Sequence, residues 1–140
     1  MERTLTIIKP DSMKAGNAGN ILALLEREGF RILAIRRIRM SESQARGFYE
    51  VHAQRPFYDS LVAFMTECPV IAAVLERDDA VAALRRVMGA TDSTQAEEGT
   101  VRNLYGTDIE RNAIHGSDSQ ENAYIESQFF FSRAELIALS

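Results

Sequence analysis

The chain has 140 residues, of which 46% are hydrophobic, enough for one domain spanning 1–140 with an apolar core. No apolar run approaches the ~20 residues of a membrane span, and a formal net charge of −4 disfavours a broad nucleic-acid surface, which needs a basic face. The lone cysteine, Cys68, excludes an internal disulfide; together with an N-terminus that has neither an apolar signal core nor a transit-like composition, it makes the cytoplasm the expected compartment.

Residues 3–9, RTLTIIK, alternate as a strand, and Pro10 with Asp11 stops it. From Gly19 the spacing of Ile21, Leu22, Leu24 and Leu25 predicts a helix ended by Gly29. Residues 31–40 read as a second strand of mixed polarity. Ser41 opens a helix over 42–52 with Ala45, Phe48 and His52 on one stripe, Arg55-Pro56 breaks it, and 57–65 predicts another helix. The continuous apolar run PVIAAVLE, 69–76, suits a buried central strand. Asp78 and Asp79 favour the start of the next helix, whose inner face carries Val81, Leu84 and Met88 and which Gly89 ends.

Residues 90–111 form a long polar stretch with one short helical turn near Arg102, and loops of that length are usually functional or disordered. A short strand over 113–116 and a helix over 119–130 complete the pattern. This order resembles an α/β (α+β sandwich) architecture of the ferredoxin-like split βαβ type, a four-stranded antiparallel sheet covered by helices, which are expected on one face.

One stretch points to chemistry. NAIHGSDS, 112–119, places one of only two histidines at the end of a strand, where it is delivered into a loop-lined site. A neutral imidazole, with pKa of about 6.5, carries a nucleophilic lone pair near pH 7 without a separate base. Glu126 lies between Ala123 and Phe130 on the apolar face of the last helix, where a carboxylate must be paired; it is either the group that sets the tautomer of His115 or a salt-bridged edge residue. Ser117 and Asp118 are candidate caps of that helix, with Gln120 and Glu121 as their respective partners. His52, on the Ala45–Phe48 stripe, reads as a packed core-edge residue.

No set of His, Cys and carboxylate residues shows metal-ligand spacing, and no glycine-rich phosphate loop or protein-kinase motif is present. Discrete side chains must therefore hold any phosphate. The chain uses fourteen arginines and two lysines, and the arginine fork suits phosphate. Lys9 ends an apolar strand, Arg85 borders the apolar stripe of its helix, and Arg102 sits in the polar loop; each also has an ordinary structural reading as a surface or helix-end charge. Grouped, three cations around a triphosphate would matter, since a charge pair at 4 Å is worth about 4 kcal/mol at an effective dielectric near 20. Phe57, after Pro56 at a helix start, either stacks on a base or faces the core.

These residues resemble the nucleoside diphosphate kinase family. The likeness rests on IIKPD (7–11), GFY (47–49), His52, RPF (55–57), MGAT (88–91), GTVR (99–102) and the 112–119 stretch, in order along nearly the whole chain. It implies a reversible ping-pong transfer in which a nucleoside triphosphate gives its γ-phosphoryl group to His115 and a nucleoside diphosphate collects it, maintaining triphosphate pools. By motif, Arg85 and Thr91 would hold the distal phosphates and Arg102 the transferring group. Lys9 and Asn112 would contact the ribose 3′-hydroxyl, and Phe57, Leu61 and Ile109 would form the base slot. Glu126 would bond the second nitrogen of His115, with Tyr49 and Ser117 beside it. Magnesium would arrive on the phosphates, held by them and water. The family also implies a homo-oligomer, tetramer or hexamer, built from dimers.

A slot that stacks without reading base edges predicts broad base specificity. The chain departs from the family pattern at Asp92-Ser93, Glu98, Cys68 and Asn17-Ala18, which bears on loop stiffness and subunit contacts and removes no catalytic residue. Two other classes remain as readings: a catalytically silent nucleotide-binding relative, and a ferredoxin-like RNA-binding module, which the acidic charge disfavours.

Overall fold

In a computed structural model, which describes residues 1–140, four strands make one antiparallel sheet in the order β2-β3-β1-β4. They are β1 (Glu2–Ile8), β2 (Arg31–Ile38), β3 (Val70–Arg77) and β4 (Ile114–Gly116). The helices are α1 (Pro10–Lys14), α2 (Ala18–Arg27), α3 (Glu42–Phe48), α4 (Tyr58–Met65), α5 (Ala80–Met88), α6 (Val101–Tyr105), α7 (Gln120–Phe130) and α8 (Arg133–Ala138). This is the expected ferredoxin-like order.

β3 and β1 occupy the centre because both are buried on both sides: β3 is apolar at both parities, and β1 sets Leu5 and Ile7 on one side and the buried Thr4, Thr6 and Ile8 on the other. Leu5, Ile7, Ala72 and Val74 pack with Phe64, Met65, Phe130 and Leu136 on one side of the sheet. On the other side Ile8, Ala73 and Leu75 pack with Ile21, Leu25, Leu84 and Met88. Helices therefore cover both faces: α3, α4, α7 and α8 one, α2, α5 and α6 the other. The expectation of helices on a single face fails for this physical reason, since a strand buried on both sides needs two layers.

Local chemistry explains the other differences. Pro10 does end β1, but it also starts α1 at the first helical position, where its fixed φ is already helical. The helix expected over 42–52 stops at Phe48, and Glu50–His52 follows as a separate 3-10 turn. Its start is firm, because Ser41 and Gln44 form a capping box. A second capping box, Ser132 with Glu135, opens α8, which the periodicity did not reveal. Neither Ser117 nor Asp118 caps α7; Ser119 does, accepting from the Asn122 N–H.

The long polar stretch is ordered by its own side chains. Asp92 accepts from the Thr94 N–H and hydroxyl to start the 3-10 turn Ser93–Gln95, and Thr100 caps α6. Asn103 bonds both the Gly99 N–H and the Ala96 carbonyl. Gly89 takes φ +87 at the end of α5, with Thr100 so close that a side chain at 89 would collide with it. No helix is long and apolar enough to cross a membrane.

Candidate functional site

β4 pairs His115 with Ile7 and Ile114 with Ile8 on β1, which fixes the backbone of the histidine in the sheet. Thr6 adds a side-chain bond to the His115 carbonyl at 2.9 Å. The imidazole projects into a cleft of about 570 Å³ whose lining includes Phe48, Tyr49, His52, Arg85, His115 and Glu126.

Nε2 of His115 stands 2.7 Å from Oε1 of Glu126, on α7. The Ser117 hydroxyl donates to the same oxygen at 2.9 Å. An ionised carboxylate only accepts, so this contact assigns the hydrogen to Nε2 and leaves the lone pair of the neutral ring on Nδ1. Phe48 and Tyr49 meet the imidazole edge-on, with centroids 5.5 and 6.4 Å away. The Tyr49 hydroxyl is buried without a hydrogen-bond partner. Burial, and secondarily the Glu126 charge, push its phenol pKa up, so it stays neutral.

A second cluster is organised by Lys9. Its ammonium donates to Oδ1 of Asn112 at 2.8 Å, and Asn112 donates through Nδ2 to the carbonyls of Thr91 and Ile109. Lys9 and Asn112 are both buried. Burial first, and the nearby Arg102 charge second, lower the Lys9 pKa to about 8, against smaller opposing effects of Asp11 and Glu110. Arg102 is also buried, not solvated as a loop charge would be. Its two terminal nitrogens donate to the carbonyls of Gly89 and Ile114, while Nε has no partner. Burial and then the charge of Arg85 lower its pKa to about 10. Three cations, from the β1–α1 junction, α5 and α6, thus stand together with too little negative charge beside them, which is the electrostatics of a polyanion site.

Between the two clusters the chain makes a tight turn. The Ile114 N–H donates to the Asn112 carbonyl at 2.9 Å, and the intervening Ala113 has φ +74. That combination marks a classic γ-turn, a rare and strained conformation, costing of order 1–3 kcal/mol at a residue with a Cβ. Asp11 accepts from the Ala113 N–H at 3.0 Å, and the Lys9 N–H donates to the Ala113 carbonyl at 2.9 Å. Asp11 was not singled out in the sequence; its place directly after Pro10 at a helix start was the available signal.

The remaining candidates lie at the rim. Phe57 is 44% exposed at the N-terminus of α4 and so does not face the core, whereas Leu61 is buried and Ile109 exposed. Ser60 donates to Glu110 at 2.9 Å, which brings α4 beside the 109–110 segment. His52 is half-buried and packed at the edge of the core as expected, stacked on Tyr49 and against Phe57, and it also lines the cleft. Arg85 is exposed within the cleft, and Thr91 enters the polar network through its carbonyl. No group of three or more His, Cys, Asp and Glu side chains is arranged to hold a metal ion.

The family model described as nucleoside diphosphate kinase matches residues 2–136. Among curated relatives, a nucleoside diphosphate kinase of Methylobacterium sp. is 54% identical over 137 residues, covering 98% of each chain. One from Persephonella marina is 46% identical over the same length, with 98% of both chains covered. Among solved structures, the Aquifex aeolicus nucleoside diphosphate kinase superposes with a TM-score of 0.94 at 47% identity, covering 96% of this chain and 97% of that one. A halophilic nucleoside diphosphate kinase from Halobacterium salinarum, solved in complex with CDP, gives 0.92 at 39% identity, covering 99% of this chain and 91% of that one.

Proposed function

Since the chain belongs to the nucleoside diphosphate kinase family, we propose that His115 is the residue that carries the phosphoryl group between nucleotides. The activity is that of a nucleotide-binding phosphotransferase. One observation carries the residue-level reading: Nδ1 of His115 is left free by the Glu126 contact, in a cleft that Arg85 also lines, with the buried Arg102 near enough for the Arg85 charge to lower its pKa.

In the first half-reaction Nδ1 attacks the γ-phosphorus of a nucleoside triphosphate. A P–N bond forms, the P–O bond to the β-phosphate breaks, and the diphosphate leaves with that electron pair. The transition state is loose, with charge spread over three equatorial oxygens, so the protein contributes mainly position and electrostatics. Arg102 uses two of its N–H groups on carbonyls, and a guanidinium has five; the rest face the developing charge. Arg85 and Thr91 hold the distal phosphates, and Lys9 with Asn112 holds the ribose 3′-hydroxyl. Positive charge growing on the ring is drawn toward Glu126 through Nε2–H, while Ser117 and Tyr49 fix the surroundings.

The second half-reaction reverses these steps onto a different diphosphate. A phosphoramidate is a reactive donor, so neither half-reaction falls into a sink as a serine ester would. Phe57 stacks on the base, with Leu61 and Ile109 closing the slot. Nothing there reads a base edge, so breadth of substrate follows. Magnesium would arrive with the nucleotide as part of the substrate, held by its phosphates and water, and would supply charge neutralisation there. The whole chain, 1–140, acts as one domain in the cytoplasm and assembles as a homo-oligomer. β2 supports that assembly, as an edge strand with Ile35 half exposed.

The test is to incubate the protein with γ-labelled ATP and magnesium and to quench it. An acid-labile, alkali-stable phosphoprotein that GDP discharges is expected from the wild type and not from His115→Ala. Equal labelling of the variant overturns the assignment, and no labelling of the wild type favours a silent nucleotide-binding relative.

A further inference from the structure

The γ-turn at Ala113 sits between the two halves of the site, and its strain has to be held by something. Asn112, its first residue, bonds Lys9, and its third, Ile114, directly precedes His115. A change of φ at Ala113 therefore moves the Lys9–Asn112 pair relative to the imidazole. Sheet pairing fixes only one side of the turn, from Ile114 onward. On the other side the Asn112 amide holds the Thr91 and Ile109 carbonyls, but the Ala113 peptide groups themselves hang on the start of α1: the Lys9 N–H holds the Ala113 carbonyl, and the Asp11 carboxylate holds the Ala113 N–H. An Ala113 that relaxed to negative φ would swing that N–H away from Asp11, in a place where Ala113 is fully buried and no water replaces the bond.

From this geometry we propose that Asp11 is a positioning residue for phosphoryl transfer. Its Oδ2 clamps the Asn112–Ala113–Ile114 turn in its left-handed form and so sets the aim of His115 against Lys9 and Asn112. Asp11 does not touch the reacting atoms. The other carboxylate oxygen, Oδ1, is buried without a partner, so one oxygen does all the hydrogen bonding. Burial raises the Asp11 pKa, while the Ala113 N–H first, and then the Ser12 N–H, the Lys9 charge and its own N–H, oppose the rise. Misplacing a reacting group by about 1 Å can cost around 10²-fold, so the clamp is placed where small shifts count.

The inference rests on His115 being the nucleophile, and the experiment separates the two. Single-turnover formation of phosphohistidine from labelled ATP is followed by rapid quench for wild type, Asp11→Asn, Asp11→Ala, Ala113→Gly and the double variant Asp11→Ala/Ala113→Gly. Nucleotide affinity is measured in parallel by titration. Asp11→Ala is expected to lower the transfer rate 10- to 100-fold while affinity changes less than about threefold. Asp11→Asn, which keeps an acceptor, is expected to recover most of the rate. Glycine adopts positive φ without a Cβ penalty, so Asp11→Ala should cost at least fivefold less in the Ala113→Gly background than in the wild type. A purely structural loss at Asp11 would not be rescued by removing a methyl group two residues from the histidine. A wild-type transfer rate in Asp11→Ala overturns the proposal, as does an equal loss in both backgrounds, or an Asp11→Asn as slow as Asp11→Ala. Should Asp11→Ala not fold, Asp11→Asn and the double variant decide it by the same comparison. Wild type that forms no phosphohistidine instead refutes the role of His115 itself.

Discussion

The histidine end of the site and the end proposed to take the base are built to different standards. At the histidine end most polar groups are bonded and at least partly buried, His115 with Glu126, Ser117 with Glu126, Lys9 with Asn112 and Arg102 with two carbonyls, while Arg85 stays exposed in the cleft. At the base end Phe57 and Ile109 are exposed, and the ties between α4 and the 109–111 segment are surface contacts such as Ser60–Glu110 and Glu67–Arg111. Bond making at phosphorus depends steeply on alignment, whereas stacking on a π-face tolerates sliding and any base. Under the proposed function, the tighter packing lies where geometry would set the rate, and the looser packing where breadth of substrate would be useful.

The sharpest way to break this contrast is Glu126→Gln. The amide can turn its NH₂ toward Nε2 and reverse the tautomer, which removes the lone pair from Nδ1. We expect the transfer rate to fall on the order of 10²-fold, less than the loss when a triad carboxylate is amidated, while KM for nucleotide moves less than about threefold, since a bond that matters only for chemistry leaves binding alone. Steady-state kinetics with saturating acceptor diphosphate checks this. A loss seen in KM and not in kcat would mean that Glu126 organises the nucleotide instead.

The next effect is a pH dependence. The folded pKa of Lys9 is lowered to about 8 from 10.5, chiefly by burial, so the charged lysine that the proposed function sets against the nucleotide is progressively lost above about pH 8. Transfer efficiency, kcat/KM, should therefore drop about tenfold between pH 7 and 9. Stability of the free protein has the opposite sign. Between about 8 and 10.5 the unfolded chain holds a proton at this site that the folded chain has released, so stability rises with pH there. Denaturant titrations of wild type and Lys9→Met across pH 7.5–9.5 isolate the contribution, because other groups titrate in both. Parallel curves for the two proteins would mean that Lys9 is not the group in question.

Where sequence and structure agree follows from the reach of each signal. β3 was legible because an apolar run of seven residues, 69–75, has few uses other than a strand buried on both sides, and His115 because of the small polar turn that follows it. Glu126 was half legible: its place on an apolar face demanded a partner without saying which. Arg102 looked like a solvated loop charge and is buried, because its partners are backbone carbonyls at Gly89 and Ile114, and a carbonyl leaves no mark in the sequence. The γ-turn at Ala113 is invisible for a related reason, since alanine there contradicts local preference and only the Asp11 and Lys9 contacts sustain it. α8 escaped because six residues are too few for periodicity, although its capping box was present in the letters.

Phe57→Ala brings the contrast to the base end. Base–aromatic stacking is worth about 1–3 kcal/mol, and the ring is 44% exposed before any nucleotide arrives, so the lower part of that range applies. KM should rise five- to tenfold by a similar factor for ATP, GTP, CTP and UTP, with single-turnover transfer at saturation little changed. A loss concentrated in one base would show that the slot reads an edge after all.

The smallest effect belongs to Glu67, which joins Lys14 on α1 to Arg111 beside the slot. Its carboxyl is held below the usual range by hydrogen bonds from Lys14 and Arg111, so whatever stability it adds is present near neutral pH and lost as pH falls through the lowered value. Both cations are solvent-exposed by about half of their side-chain surface or somewhat less (51% and 42%), and such pairs are screened and pay for ordering long side chains. Arg111 also keeps its place over the Phe64 ring, 4.7 Å from the centroid, whether or not the carboxylate is there. Glu67→Gln should accordingly cost less than about 1 kcal/mol in denaturant unfolding at pH 7, shrink further in 0.5 M salt, and leave kcat unaltered. A substantial fall in kcat would mean that the surface ties at the base end help to hold Asn112 and its turn, and the division between a rigid histidine end and a loose base end would no longer stand.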